Sequence, residues 1–223
     1  MERLIEGYHQ FRTSVFPNER ETFARLASGQ QPHTMFLTCA DSRVMPELML
    51  SAKPGEIFVY RNVGNIVPPY GQQVSGVVAA IEYAVKVLKV GHIVICGHSD
   101  CGAMKALQRP EALTELPSVR AWLKHAELAH YVYAEHRERS VEDKLRALTE
   151  ENVIAQLEHL RTLPAVAAAL ANGALRIHGW IYDIEHGEIT AYDGKKRSFR
   201  PLEQDGVQPE ATPDARFPAS AAA

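Results

Sequence analysis

The sequence predicts an α/β fold: a mainly parallel central sheet flanked by helices, with an antiparallel edge strand and an N-terminal helical arm. Short apolar runs at residues 34–38, 57–60 and 92–96 are bounded by turn residues and are continuous rather than alternating, as strands covered on both faces are. Between the second and third runs, Val74, Val77, Val78, Ile81, Val85 and Leu88 recur at three- and four-residue steps, which puts one apolar stripe on a helix over residues 72–88. Strand, helix and strand in that order form a βαβ unit with a right-handed crossover.

The remaining elements follow along the chain. Met1-Glu2-Arg3-Leu4 opens without an apolar signal core, which argues against secretion. Leu4, Ile5, Tyr8 and Phe11 give an early amphipathic stretch. A helical segment over 18–27 stops at Ser28-Gly29-Gln30-Gln31-Pro32, a strong breaker cluster. Residues 119–139 and 141–161 read as helices charged on one face, and 175–182 as a fourth strand. After the turn at His186-Gly187, residues 188–192 would form the antiparallel edge strand. Residues 1–203 thus make one catalytic-sized domain. From Gln204 onward Pro, Ala, Gly and Asp dominate, and residues 204–223 are expected to be a disordered tail.

Composition narrows the function. With 24 basic against 27 acidic residues the net charge is −3, which argues against nucleic acid as a partner. Hydrophobic residues make up 46% of the 223, enough for a real core, yet no apolar run approaches the roughly 20 residues of a membrane helix. Three cysteines are too few for a disulfide scaffold. In a cytoplasmic, reducing setting they are metal ligands, nucleophiles or buried small hydrophobes.

Two of them stand out. Cys39 directly follows the first strand, in Cys39-Ala40-Asp41-Ser42-Arg43, and Cys101 follows the third, in His98-Ser99-Asp100-Cys101-Gly102. Both loops leave the carboxyl ends of strands in one sheet, where open α/β sheets place their ligands. Cys39, His98 and Cys101 can therefore converge, and two thiolates with one imidazole suit Zn²⁺ while leaving a fourth tetrahedral position open. Other accounts stay open at this point: a structural zinc closed by Asp41, a redox pair of Cys96 and Cys101, or simple burial, which suits Cys96 in mid-strand. Asp41 and Arg43 can form a bidentate pair in which the Arg keeps the carboxylate ionised and aimed, against the alternative of a surface ion pair worth under about 1 kcal/mol. His125, His130, His136 and His159 lie on charged helical segments and are expected to be solvated. His178 reads as a core histidine, and Trp122 and Trp180 as packing residues.

The two loop motifs, with Pro54-Gly55-Glu56, Arg61-Asn62-Val63-Gly64-Asn65, Ile81-Glu82-Tyr83-Ala84 and His178-Gly179-Trp180-Ile181-Tyr182-Asp183, resemble the signature of the β-class carbonic anhydrases over roughly residues 20 to 200. The resemblance implies a zinc lyase that interconverts CO₂ and bicarbonate through zinc-bound hydroxide. It makes Cys39, His98 and Cys101 the zinc ligands and Asp41–Arg43 the catalytic dyad. It places Phe58, Val63 and Tyr83 on the wall of the substrate pocket, Gln30 as a catalytic hydrogen-bond donor, and the Gly102 N–H as a further donor to substrate. It also implies a site built at a dimer interface, dimers or higher homo-oligomers, and an N-terminal arm lying over a partner subunit. A second branch of the family carries a tryptophan three residues before the first cysteine, as part of an inhibitory bicarbonate site. Here that residue is Phe36, although Arg61 and Tyr182 match the other two members. The sequence therefore resembles the open-zinc, plant-like branch. Two alternatives accompany this expectation: hydrolysis of carbonyl sulfide or carbon disulfide on the same scaffold, and a non-catalytic zinc-binding module.

Overall fold

The computed structural model describes residues 1–71, 75–134 and 141–202, the side chains of 141–143 excepted. The three apolar runs are strands that extend further toward their carboxyl ends than the runs themselves: β1 (Thr34–Cys39), β2 (Ile57–Asn62) and β3 (His92–His98). With β4 (Arg176–Tyr182), β5 (Ile189–Asp193) and β6 (Ser198–Pro201) they form a six-stranded sheet in the order β2-β1-β3-β4-β5-β6. The first four strands are parallel, and β5 and β6 are antiparallel additions.

β1 lies between β2 and β3, so the chain leaves it in one direction and returns to its other side. The crossover helix α4 (Gly76–Lys86) carries the chain from β2 to β3 past β1 and buries Val77, Ile81 and Ala84. The beginning of the expected helix, residues 72–74, lies outside the described residues. From β3 the chain moves on to β4 rather than back. The carboxyl ends of β1 and β3 therefore flank a topological switch point, the place in such sheets where loops diverge and leave a crevice.

The principal core lies on the sheet face covered by α4, α8 (Val141–Thr162) and α9 (Pro164–Ala171), where Leu37, Ile93, Ile95 and Ile177 meet Ile81, Val153, Leu157 and Val166. α8 rests directly on β3 and β4 because both strands carry glycine there. A Cβ on Gly97 would stand 2.9 Å from Val153 Cγ2, and one on Gly179 would stand 2.8 Å from Val153 Cγ1. On the opposite face Phe36, Val94, Cys96 and Trp180 form a smaller core, with Phe36 and Trp180 edge to face at 5.9 Å. A third cluster lies under the switch point and includes Cys39, Ile66, Cys101, Met104, Leu123 and Leu148.

Some expectations change. The strand over 188–192 is present as β5, but it is not the edge. Asp193 Oδ1 accepts the N–H groups of Lys195 and Lys196 at 3.0 Å and closes a turn that returns β6 along its outer side. The helix over 119–139 is α6 (Pro117–Leu123), a 3₁₀ turn at Lys124–Ala126, and α7 (Glu127–Ala134). Leu123, Ala126 and Ala129 are all buried, and a tightened turn of three residues is what puts this three-residue spacing on one line. His159 is not solvated: Nδ1–H donates to the Val67 carbonyl at 2.7 Å. His136, the end of that predicted helix and the predicted tail lie outside the described residues. At the N-terminus, α1 (Glu2–Gln10) buries nothing and leaves Leu4, Ile5 and Tyr8 exposed; the helix expected over 18–27 is α2 (Arg20–Leu26), and a single turn after β1 is α3 (Pro46–Met49).

Candidate metal centre

Cys39 is the last residue of β1, His98 the last of β3, and Cys101 stands immediately before α5 (Gly102–Gln108). Adjacent parallel strands bring the first two side by side. A turn through Asp100, at φ 59°, brings the third back to them; Asp is among the few residues that tolerate this left-handed conformation. The two sulfurs and a ring nitrogen of His98 all lie within 4.8 Å of one another, and all three residues are buried. His98 Nδ1 lies 2.8 Å from the Ser99 carbonyl, so it carries the proton and Nε2 presents a lone pair. That Nε2 is buried and has no hydrogen-bond partner. An unpartnered buried acceptor costs about 1–3 kcal/mol, and a cation removes the cost.

The thiols point the same way. Closeness to the Cys101 thiol, against the opposing effect of burial, holds Cys39 down. The backbone N–H groups of Gly64 and Asp41 also favour the Cys39 thiolate. The same contact, with burial, pushes Cys101 up. Two thiols this close share one proton. A cation replaces that proton and lets both ionise, the usual coupling of metal binding to deprotonation. The residues present therefore fit a divalent metal of borderline softness. Cys96 takes no part: it is fully buried and its thiol is pushed up to about 12 by burial.

Asp41 lies beside this cluster, with Oδ2 3.9 Å from His98 Nε2. Both its oxygens are engaged by Arg43: Nε–H to Oδ1 at 2.9 Å, NH2 to Oδ2 at 2.8 Å, and the Arg43 backbone N–H to Oδ1 at 3.0 Å. The guanidinium holds the Asp41 carboxyl well below the usual carboxylate range. Arg43 is itself fixed by Asp100, whose carboxylate accepts from NH1 at 3.0 Å and pairs with Lys105. From the other side Arg61 donates to the carbonyls of Cys39 (3.1 Å) and Asp41 (2.6 Å), so it braces the loop. Asp100, Lys105 and Ser99 were not singled out from the sequence. Their roles depend on the positive φ at Asp100, which the run Ser99-Asp100-Cys101 does not announce.

The other predicted site residues divide into two groups. Gly102 follows Cys101, and Val63 follows β2 at the same end of the sheet; Val63 is 43% exposed. Gln30, Phe58 and Tyr83 are elsewhere. Gln30 lines a cleft of about 690 Å³ with Leu88 and His92 at the amino ends of β1 and β3. The six-residue β1 separates it from Cys39, about 20 Å at ~3.3 Å per residue. Phe58 pairs with Met35 near the start of β2 and packs on Tyr83 with ring centres 6.2 Å apart. Tyr83 is nearly half exposed.

A sequence model of the carbonic anhydrase family matches residues 34–189. The chain is 51% identical to a carbonic anhydrase of Pseudomonas aeruginosa over 199 residues, 89% of this chain and 90% of that one. Among solved structures it resembles the β-carbonic anhydrase CcaA, with a TM-score of 0.89 and 44% identity over 91% of this chain and 99% of that one. It also resembles a structure described as a tetrameric β-carbonic anhydrase of Sordaria macrospora, with a TM-score of 0.69 and 32% identity over 85% and 92% of the two chains.

Proposed function

The chain belongs to the β-class carbonic anhydrases, and from that premise we propose how its residues carry out the reversible hydration of carbon dioxide. Cys39, His98 and Cys101 hold a zinc ion. When bound, zinc supplies Lewis acidity that brings the pKa of water down toward about 7. The Ser99 carbonyl fixes the His98 tautomer, and that contact with the ring nitrogen opposite the ligating one raises the basicity of the ligand.

Asp41 accepts a hydrogen bond from the attacking water and aims its lone pair at the carbon of CO₂. It can do so because Arg43 keeps it ionised and fixes both its oxygens. The same grip keeps the carboxylate from acting as a closing ligand, which supports the open-site branch over a non-catalytic zinc module. The Gly102 N–H offers a donor to the oxygen on which charge develops, the preorganised contact that stabilises such transition states. Val63 forms part of the apolar wall. Phe58, Tyr83 and Gln30 reach a pocket of this kind only from a second copy of the chain, so we place the working site between subunits of a homo-oligomer. The exposed face of α1 and the cluster of Phe11, Phe16 and Phe23, with ring centres 5.5–6.0 Å apart, suit an arm laid on that copy. Three unpaired cysteines fit a cytoplasmic setting, and no helix among the described residues is long and apolar enough to cross a membrane.

The observation that carries this assignment is the meeting of two buried sulfurs with an unpartnered buried imidazole nitrogen. Metal analysis with stopped-flow CO₂ hydration tests it. The purified protein should hold one zinc per chain, and its hydration rate should rise with pH above neutrality. Cys39→Ala should lose both metal and turnover. Full turnover in metal-free Cys39→Ala, or faster hydrolysis of carbonyl sulfide than hydration of CO₂, would overturn it.

A further inference from the structure

Three histidines gather at the amino end of the sheet. His33 stands immediately before β1, His92 opens β3, and His178 is the third residue of β4. The strand pairing brings them together: the Gly91 N–H donates to the His33 carbonyl at 3.0 Å, and His92 is in register with Thr34 on one side and Arg176 on the other. His33 is exposed, His92 is half-buried and His178 is buried. His92 Nδ1 lies 3.0 Å from His178 Nε2, and His33 Nδ1 lies 2.7 Å from the Thr34 hydroxyl oxygen. In both of the solvent-reachable rings Nδ1 is therefore engaged, and Nε2 is the nitrogen left to exchange protons.

His33 and His92 line the cleft of about 690 Å³ that also holds Gln30. Among the described residues that line it, Lys89 is the only other ionisable group, and there is no carboxylate. Imidazole is the side chain that changes charge between about pH 5 and 8, so these two rings are the groups in the cleft suited to take up and release a proton during turnover. Around them stand Arg176 on β4, Lys89, and Glu56, whose carbonyl accepts the His33 N–H and whose carboxylate accepts the Lys53 N–H. Burial, with Arg176 and His33, holds His92 below its ordinary value, so a proton that reaches it moves on rather than resting there. Burial pushes His178 down to about 4. His178 therefore braces the His92 ring without trapping the proton.

We propose that His33 and His92 carry away the proton that each hydration releases, with His178 as the positioning residue that holds the His92 ring. This rests on the reading that Gln30 completes a site in a second copy of the chain, because the same cleft then opens on that site. Hydration joins CO₂ and one water into bicarbonate and one proton. The proton passes through water in the cleft to Nε2 of His92, then to His33 and to a buffer base, and each ring returns to neutral. A rival path fails on its chemistry. His186, with Nδ1 3.1 Å from Asp183, lines a cleft of about 700 Å³ with Arg43 and Asp100. That cleft meets the dyad at Arg43, a guanidinium that does not give up a proton.

Stopped-flow hydration by the metal-loaded protein in dilute and in concentrated buffer tests this, because a relay limits kcat only where buffer is scarce and leaves kcat/KM alone. In dilute buffer His33→Gln should lower kcat several-fold, keep kcat/KM, and regain kcat when imidazole is added. His92→Gln should do the same, and His186→Gln should change nothing. His33 is exposed, so its variant decides the matter even if His92→Gln does not fold. In NMR spectra of protein labelled at the histidine ring carbons, the signals lost in the two variants should report protonation within the pH range of turnover. If neither ring takes up a proton there, the relay is overturned. Wild-type kcat for His33→Gln in dilute buffer, or a loss in His186→Gln instead, also overturns it, and the shared site stands if Gln30→Ala lowers kcat/KM. If Gln30→Ala keeps the wild-type kcat/KM, the cleft lies outside the working site and the relay falls with that reading.

Discussion

At the residue scale, the centre separates holding from acting. Cys39, His98 and Cys101 point inward and are buried, whereas Asp41 sits beside them with both oxygens on Arg43. Asp41→Asn keeps the shape and removes the charge. It should retain one zinc per chain and lower kcat by about 100-fold or more, the usual contribution of a positioned acid–base group. Metal analysis alongside stopped-flow rates checks both halves, and loss of the metal would make Asp41 a ligand. The ligand set was legible from the sequence because parallel strands emerge on one edge, so the residues ending two such strands must be neighbours. The second layer was not legible. Asp100 acts through a left-handed turn at φ 59°, which its neighbours Ser99 and Cys101 do not announce.

At the element scale, α8 is the decisive piece. It lies against Gly97 and Gly179 at a distance that leaves no room for a methyl group. Gly179→Ala forces either the helix or β4 to shift and should destabilise the protein by about 1–3 kcal/mol, read as a lower denaturation midpoint with unchanged slope. α8 also showed where charge patterning misleads. His159 has charged neighbours in sequence and was expected in water, yet the helix turns it toward Val67. β6 escaped notice because Lys195-Lys196-Arg197 conceals the turn that Asp193-Gly194 signals.

A histidine pair makes the sheet pH-sensitive. His92 Nδ1 and His178 Nε2 lie 3.0 Å apart at the amino ends of β3 and β4. Burial pushes His178 down to about 4, with His92 and Arg176 adding to the shift. The unfolded chain then binds a proton near pH 6.5 that the folded chain refuses until about 4. This contribution is complete above pH 6.5 and is lost as the pH falls toward 4, by up to about 3 kcal/mol. Urea unfolding of metal-loaded protein at pH 7 and pH 5 should show a smaller drop for His178→Gln than for wild type; an equal drop would place the acid sensitivity elsewhere.

At the scale of the whole molecule, two groups of residues lie at opposite ends of β1: Cys39, His98 and Cys101 with Asp41 and Arg43, and Gln30 with Phe58 and Tyr83. The family resemblance supplied both sets and the expectation of a site between subunits; chain order by itself carries no information about which subunit a side chain faces. If the halves meet across an isologous interface, two inactive variants should rescue each other. Mixing Gln30→Ala with Asp41→Asn, after dissociation and reassociation, should restore about a quarter of wild-type turnover, since half the dimers are mixed and each of these has one intact site. No recovery would mean that each subunit completes its own site.

The adjacency of β1 and β3 has a mechanical side. Their facing ends bring a sulfur and an imidazole within reach of one ion, while the polypeptide between them makes its long excursion through β2 and α4. A bound ion would thus be a rivet through two planks that sequence holds far apart. Removing it should take away an electrophile and a cross-link between the two strands at once, so a chelator should lower turnover and the denaturation midpoint together.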